Sequence, residues 1–279
     1  MEVNNKSPFV LSRAEGSSHL SGHIHPTAIL GANVKVGENV FIGPYVVITG
    51  TVTIGSGTKI YSHVSIGYPA QDTGITDSLG TIEIGNNCTI REFVTISASK
   101  KADGETTIGD NCYIMSYSHI AHDVTLEYSV VLINNVQLGG HTYIERKAFL
   151  MAHAATHQSC RVGQFTAIAP YSGTRQDLPP FCLFDGRPGH FAGLNRIALI
   201  RASFSNESLE ALNHVTFLFY QKKLLLDEIT DHAKQATWGN DLHVQSFITF
   251  IKESNRGVSR KTITEKRNEN SYHQPHSTG

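Results

Sequence analysis

The chain has no apolar run approaching the ~20 residues that a membrane-spanning helix needs, so no integral membrane segment is expected. Near its start only Phe9-Val10-Leu11 forms an apolar clump, too short for the core of a signal peptide. Cysteine is scarce: Cys88, Cys112, Cys160 and Cys182 are the four, and no two form a CxxC pair. That spacing excludes a zinc knuckle and suits small buried thiols in a reducing compartment. An excess of charge of either sign is also missing, with 23 Lys plus Arg against 24 Asp plus Glu. A near-neutral chain offers no general attraction for nucleic acid or an anionic membrane. These absences point to a cytoplasmic protein. Apolar residues at 40% and charged residues at 17% are enough to fold, and 279 residues allow one large domain with a small appendage.

What the chain does have is a repeat of six. From Ile24 an aliphatic residue recurs at Leu30, Val36, Ile42, Ile48, Ile54, Ile60 and Ile66. Gly often follows it, and a small or β-branched residue stands four places on, as at Val40, Val46, Val52, Thr58 and Val64. The phase returns at Ile84, Ile90 and Ile96, and again from Ile108 to Leu150; it slips at Thr156 and resumes at Val162 and Ile168. Neither a helix of 3.6 residues per turn nor an alternating strand has this period. Short strands joined by tight turns and stacked as a solenoid do, with the aliphatic pointing inward. Cys88, Cys112 and Cys160 fall in the small inward slot.

Residues 67–83 and 97–107 break the phase and are expected to leave the solenoid as loops, where a rigid scaffold commonly carries function. After about residue 185 the pattern turns helical. Ser205-Asn206-Glu207 reads as a helix start, with Leu209, Leu212, Val215, Leu218 and Phe219 at helical spacing. Residues 224–236 and 241–254 read as further helices, with Gly257 ending the last. The expected organisation is a flexible 1–20, a hexapeptide-repeat β-helix over 21–185, an α-helical part over 186–260 and a disordered 261–279.

If three hexads close one coil, residues 18 apart share an edge. The hexads beginning at 120, 138 and 156 then form a column holding His122, His141 and His157, with His119 just before it. His63 and His153 fall in other columns. Imidazole accepts a proton near neutral pH, and Asp123 adjoins His122, although neighbouring residues of a strand point to opposite faces. Gly139-Gly140 precedes His141, and a glycine there leaves a backbone N–H able to meet an oxyanion.

The runs His119-Ile120-Ala121-His122-Asp123, Leu138-Gly139-Gly140-His141 and Thr156-His157-Gln158 resemble the acyl-carrier-protein–UDP-N-acetylglucosamine O-acyltransferases, which begin lipid A biosynthesis. The likeness continues through 176–181, Gly193-Leu194-Asn195, Arg201 and Asn255-Arg256-Gly257, and covers roughly 23–260. It implies a left-handed parallel β-helix followed by a small helical domain, a homotrimer, and sites in clefts between subunits. It implies His122 as the general base on the sugar 3-hydroxyl, Asp123 as its support and the Gly140 N–H as oxyanion donor. Asp72, His119, His141, His157 and Gln158 match residues lining the substrate cleft; Asn195 and Arg201 match positions near the nucleotide phosphates. Pro170 stands at the acyl-length gate, where a residue bulkier than the family's small one favours a shorter chain. The implied partners are acyl carrier protein and UDP-N-acetylglucosamine or a related UDP-sugar, with no metal and no organic cofactor.

Some positions depart from the family. Gly74 stands where a Lys is usual, and Ser97-Ala98-Ser99-Lys100 replaces His-Arg-Gly-Thr. Ile197 and Ala202 replace an acidic residue and an Arg near the phosphates. These departures keep open another UDP-sugar, including N-acylation of a 3-amino sugar, and a non-catalytic paralogue that binds nucleotide sugar or carrier. A zinc hydro-lyase on the same solenoid is disfavoured, because His119 and His122, three apart, face opposite ways on an extended strand. Arg146, Lys147, Arg161, Arg187, Lys222 and Lys223 are candidates for docking an acidic carrier protein.

Overall fold

A computed structural model describes residues 22–73 and 80–263. The expectations for 1–20, for Gly74 and for the tail past 263 lie outside the described residues. The chain is a left-handed parallel β-helix with helices at its C-terminal end, and it divides into two compact units after Thr142.

In the first unit three parallel sheets run along the solenoid. One stacks His23–Ile24, Phe41–Ile42, Lys59–Ile60, Thr89–Ile90, Tyr113–Ile114 and Val131–Leu132. The second stacks Ile29–Leu30, Val47–Ile48, Ser65–Tyr68, Thr95–Ser97, His119–Ile120 and Gln137–Leu138. The third stacks Val34–Val36, Thr51–Ile54, Thr81–Ile84, Glu105–Ile108 and Thr125–Leu126. Strands this short cannot stand alone; each N–H finds its carbonyl one coil away, as Phe41 N–H does on Thr58 O at 2.9 Å. From Ile42 onward the hexad aliphatics of this unit are buried, each worth about 1.5–3 kcal/mol in removed apolar surface. Cys88, Cys112, Cys160 and Cys182 are buried free thiols.

Ladder partners are 18 apart at His23 and Phe41, 30 apart at Thr51 and Thr81, and 24 apart at Thr81 and Glu105. The two insertions are thus whole multiples of a hexad, which is why the aliphatic phase survives them. Both are shorter than the broken phase suggests. Strands run to Tyr68 and Ser97 and restart at Thr81 and Glu105, because the third sheet uses longer strands here. Gly67, at φ +90°, lies in the strand from which the first insertion leaves; a Cβ there would sit 1.8 Å from Thr49 O.

In the second unit Tyr143–Ile144 pairs with Arg161–Val162, and Ala155–Thr156 pairs with Gly173–Thr174. Phe149–Leu150, Ala167–Ile168 and Cys182–Asp185 form a parallel set, closed by the antiparallel His190–Leu194. Among the described residues four α-helices follow: α1 (Arg196–Arg201), α2 (Asn206–Thr216), α3 (Leu226–Lys234) and α4 (Leu242–Lys252). Ser205 caps α2 by accepting the Ser208 N–H, as its sequence suggests, and Leu209, Leu212 and Val215 are buried. Leu218 and Phe219 are buried too, but on a π-helical turn over Phe217–Gln221 that spacing does not reveal. Asp241 caps α4 rather than belonging to it, and α4 ends at Lys252. Gly257 does not end that helix: Glu253 is its cap, and Gly257 (φ +69°) instead offers its carbonyl to the Asp177 N–H at 3.0 Å. No helix among the described residues is long and apolar enough to cross a membrane.

Candidate active site

The corner between the second and third sheets of the first unit gathers most of the singled-out residues. His122 and Asp123 form the turn after His119–Ile120. Asp123 has φ +59°, in the left-handed region. Strand alternation therefore lapses between these two residues, and their side chains meet, with His122 Nδ1 2.7 Å from Asp123 Oδ2. Neighbours on a strand would point apart, as the sequence predicts, but this pair lies in a turn. Both side chains are largely shielded from solvent.

Burial alone pushes the Asp123 carboxyl up. The Ser99 hydroxyl, the His122 imidazole, the Lys100 N–H and nearby His141 outweigh that, and hold it below the usual carboxylate range. An ionised carboxylate only accepts hydrogen bonds, so His122 Nδ1 carries the proton of this contact. In the neutral imidazole Nε2 is then left with its lone pair. Gly140 faces that edge of the ring. A Cβ at 140 would lie 2.4 Å from both Cε1 and Nε2 of His122, so a glycine is what lets backbone and imidazole approach.

One coil on, the His141 N–H donates to the His122 carbonyl at 3.0 Å. The two rings meet edge to face with centroids 5.0 Å apart, and His141 Nε2 is 3.8 Å from Asp123 Oδ2. His119 lies beside this corner, its Nδ1 2.7 Å from Thr95 Oγ1. Burial, then the neighbouring His122, lowers its pKa and favours the neutral ring. His122, Asp123 and His141 offer three donor atoms within 4.8 Å of one another, the cluster that could hold a metal ion among the described residues. Two of those side chains already share the Nδ1–H to carboxylate hydrogen bond, which a cation at the same atoms would have to replace.

Both insertions reach this corner. Asp72, on the first, is ion-paired with Lys100 of the second. Ser99 donates to Asp123 Oδ1 at 2.5 Å. From the sequence alone Ser99 and Lys100 stand out only as departures from a motif. The signal that could have found them is their place in a phase-breaking segment at the same corner as Asp72. Thr95, the partner of His119, has no such signal; it is one of many strand threonines.

The other singled-out residues belong to the second unit. The His157 N–H donates to Thr174 O at 2.9 Å, and its Nδ1 lies 3.5 Å from Arg256 Nη2; Gln158 beside it is exposed. In the sequence Arg256 stands out only as part of Asn255-Arg256-Gly257. Asn195 stands at the start of α1 without a side-chain capping bond, and its amide donates instead to Phe165 O at 2.8 Å. Arg201 is exposed in the last turn of α1, and Pro170 is exposed in a turn. His63 and His153, set aside by the column argument, stack on Phe93 and Tyr171 instead. Of the basic candidates for carrier docking, Arg161 is bound to Glu145 and Glu253, and Arg187 to the Tyr171 and His153 carbonyls.

The arrangement can accept a proton at His122 Nε2, store the resulting charge against Asp123, and present the Gly140 backbone beside the same nitrogen. Comparison with known proteins fits this chemistry. The family described as Udp N-acetylglucosamine O-acyltransferase, Domain 2, matches residues 177–259, and the bacterial transferase hexapeptide repeat matches 23–50 and 33–68. An acyl-[acyl-carrier-protein]–UDP-N-acetylglucosamine O-acyltransferase of Thermodesulfovibrio yellowstonii is 36% identical over 256 residues, spanning 85% of this chain and 99% of that protein. One of Campylobacter concisus is 36% identical over 85% of this chain and 90% of its own length. The crystal structure of the UDP-N-acetylglucosamine acyltransferase of Bacteroides fragilis superposes with a TM-score of 0.74 at 30% identity, covering 86% of this chain and 98% of that one.

Proposed function

Since this chain belongs to the acyl-[acyl-carrier-protein]–UDP-N-acetylglucosamine O-acyltransferase family, we propose that His122 is the base through which it works. The enzyme moves an acyl chain from acyl carrier protein to UDP-N-acetylglucosamine, the first step of lipid A biosynthesis. His122 Nε2 removes the proton of the sugar 3-hydroxyl as that oxygen attacks the thioester carbonyl. The carbonyl oxygen becomes an oxyanion held by the Gly140 N–H. Collapse of the tetrahedral intermediate re-forms the carbonyl and breaks the carbon–sulfur bond. The carrier thiolate leaves and takes the proton from the imidazolium. Asp123 keeps Nδ1 protonated and offsets the imidazolium charge throughout.

The observation that carries this reading is the 2.7 Å contact of His122 Nδ1 with a carboxylate held ionised, because it leaves Nε2 as the basic nitrogen. Asp72, His119 and His141 are assigned to binding the sugar, and Pro170 to limiting acyl length. His157 and Gln158 are assigned to lining the substrate cleft, and Asn195 and Arg201 to the nucleotide phosphates. The chemistry is assigned to the β-helix at 21–185 and the nucleotide contacts to 186–260. A homotrimer with clefts between subunits is supported by family membership. Buried, unpaired cysteines support a cytoplasmic setting.

The test is an assay of the purified protein with 3-hydroxyacyl and unsubstituted acyl carrier proteins and UDP-N-acetylglucosamine, read by mass spectrometry of the product. Acyl transfer that falls by at least about 100-fold in His122→Ala is expected. Undiminished turnover in that variant refutes the base assignment, and light scattering of the same sample reads the oligomeric state.

A further inference from the structure

We propose that Ser99 is a positioning residue for the His122–Asp123 pair, which makes the second insertion part of the acid–base apparatus. The inference rests on His122 being the base.

Ser99 is fully buried. Its Oγ accepts the Lys101 N–H at 3.1 Å and donates to Asp123 Oδ1 at 2.5 Å. With one lone pair committed to Lys101, the hydroxyl hydrogen is directed at the carboxylate. The other carboxylate oxygen, Oδ2, takes His122 Nδ1–H at 2.7 Å and a longer Lys100 N–H at 3.4 Å. The two oxygens therefore have separate partners, and the division matters mechanically. The terminal torsion of an aspartate is broad and nearly two-fold, so a carboxylate held at one oxygen can swing. Held at both, it keeps Oδ2 in line with Nδ1, and the ring keeps Nε2 aimed at the reacting hydroxyl.

The base of the insertion holds the Asp123 backbone in the same way. Thr106 Oγ1 donates to Ser97 O at 3.0 Å and accepts the Asp123 N–H at 2.9 Å. Gly104 allows the insertion to fold back this tightly: a Cβ there would sit 2.1 Å from Ser99 Oγ and 3.0 Å from Asp123 Oδ1. The two ends of one loop therefore converge on a single residue, Ser99 on the Asp123 carboxylate and Thr106 on its backbone N–H. Donation from Ser99 also draws charge from that carboxylate. Without it, Asp123 is more basic and holds the imidazolium more firmly.

The experiment compares Ser99→Ala, Ser99→Gly and Ser99→Thr with wild type, measuring kcat and KM against pH with acyl carrier thioester and UDP-N-acetylglucosamine. The hydroxyl-free variants should lose about tenfold in kcat, as expected for one hydrogen bond to a charged group, with little change in either KM. The acid limb of their kcat/KM profile should move to higher pH. Ser99→Thr, which keeps the hydroxyl, should recover most of kcat and the wild-type limb. A hydroxyl-free variant with wild-type kcat and limb overturns the proposal, as does Ser99→Thr behaving like Ser99→Ala. Failure of all three to fold, judged by circular dichroism, also overturns it, because Ser99 would then serve folding. His122→Ala separates the premises: an inert His122→Ala beside a wild-type Ser99→Ala removes this inference alone, whereas an active His122→Ala removes the base assignment.

Discussion

Replacing Gly140 by Ala tests the active-site geometry with a single methyl group. The added Cβ would stand 2.4 Å from His122 Nε2 and Cε1, about 1 Å inside ordinary contact. Gly140 is buried, and φ there is not in the left-handed region, so the backbone accepts alanine and the strain falls on the ring. The imidazole cannot swing freely, because Nδ1 is tied to Asp123 at 2.7 Å. A retreat of about 1 Å stretches that bond past hydrogen-bonding range or turns Nε2 off its target. A misplacement of this size costs about 100-fold in kcat, or about 2.7 kcal/mol of transition-state stabilisation. Alanine keeps its N–H, so the loss reports the ring and not the oxyanion donor. Steady-state transfer from acyl carrier thioester to UDP-N-acetylglucosamine, followed by mass spectrometry, measures it, with a melting curve as the control for folding. In a His122→Ala background the same change should cost nothing further. Turnover within about threefold of wild type in Gly140→Ala would mean the catalytic nitrogen is not where this reasoning puts it.

The Asp123 carboxyl titrates below its unfolded value, so its contribution to stability is present above about pH 4 and fades as pH falls toward the folded pKa. The gap in melting temperature between wild type and Asp123→Asn should therefore be widest near neutrality and narrow below that point. His119 is held down by burial, so the unfolded chain takes up its proton first, and stability is lost as pH drops through about 6.5. His119→Gln should flatten that part of the melting-temperature profile; an unchanged slope would place the responsible group elsewhere. Burial of all four thiols predicts no reaction with an aromatic disulfide reagent in the native protein and four equivalents released in denaturant. Rapid native labelling of any one would contradict the packing.

The period of six was enough to specify the solenoid. A six-residue unit with one inward aliphatic admits few other ways of burying that side chain, and a circuit of 18 followed from it. So did the proximity of His122 and His141, which needs only coil arithmetic. The helix start at Ser205 was readable because capping chemistry is local. The partnership of His122 with Asp123 came from the family resemblance and not from periodicity, because strand alternation argues against it and a left-handed turn residue cancels that alternation. The hydroxyl of Ser99 on Asp123 and the pairing of Lys100 with Asp72 were not readable. Those contacts join residues 24 and 28 positions apart through loops that break the repeat. Periodicity fixes which residues share an edge because the backbone repeats; where an insertion leaves that backbone, only the folded loops decide which side chains meet.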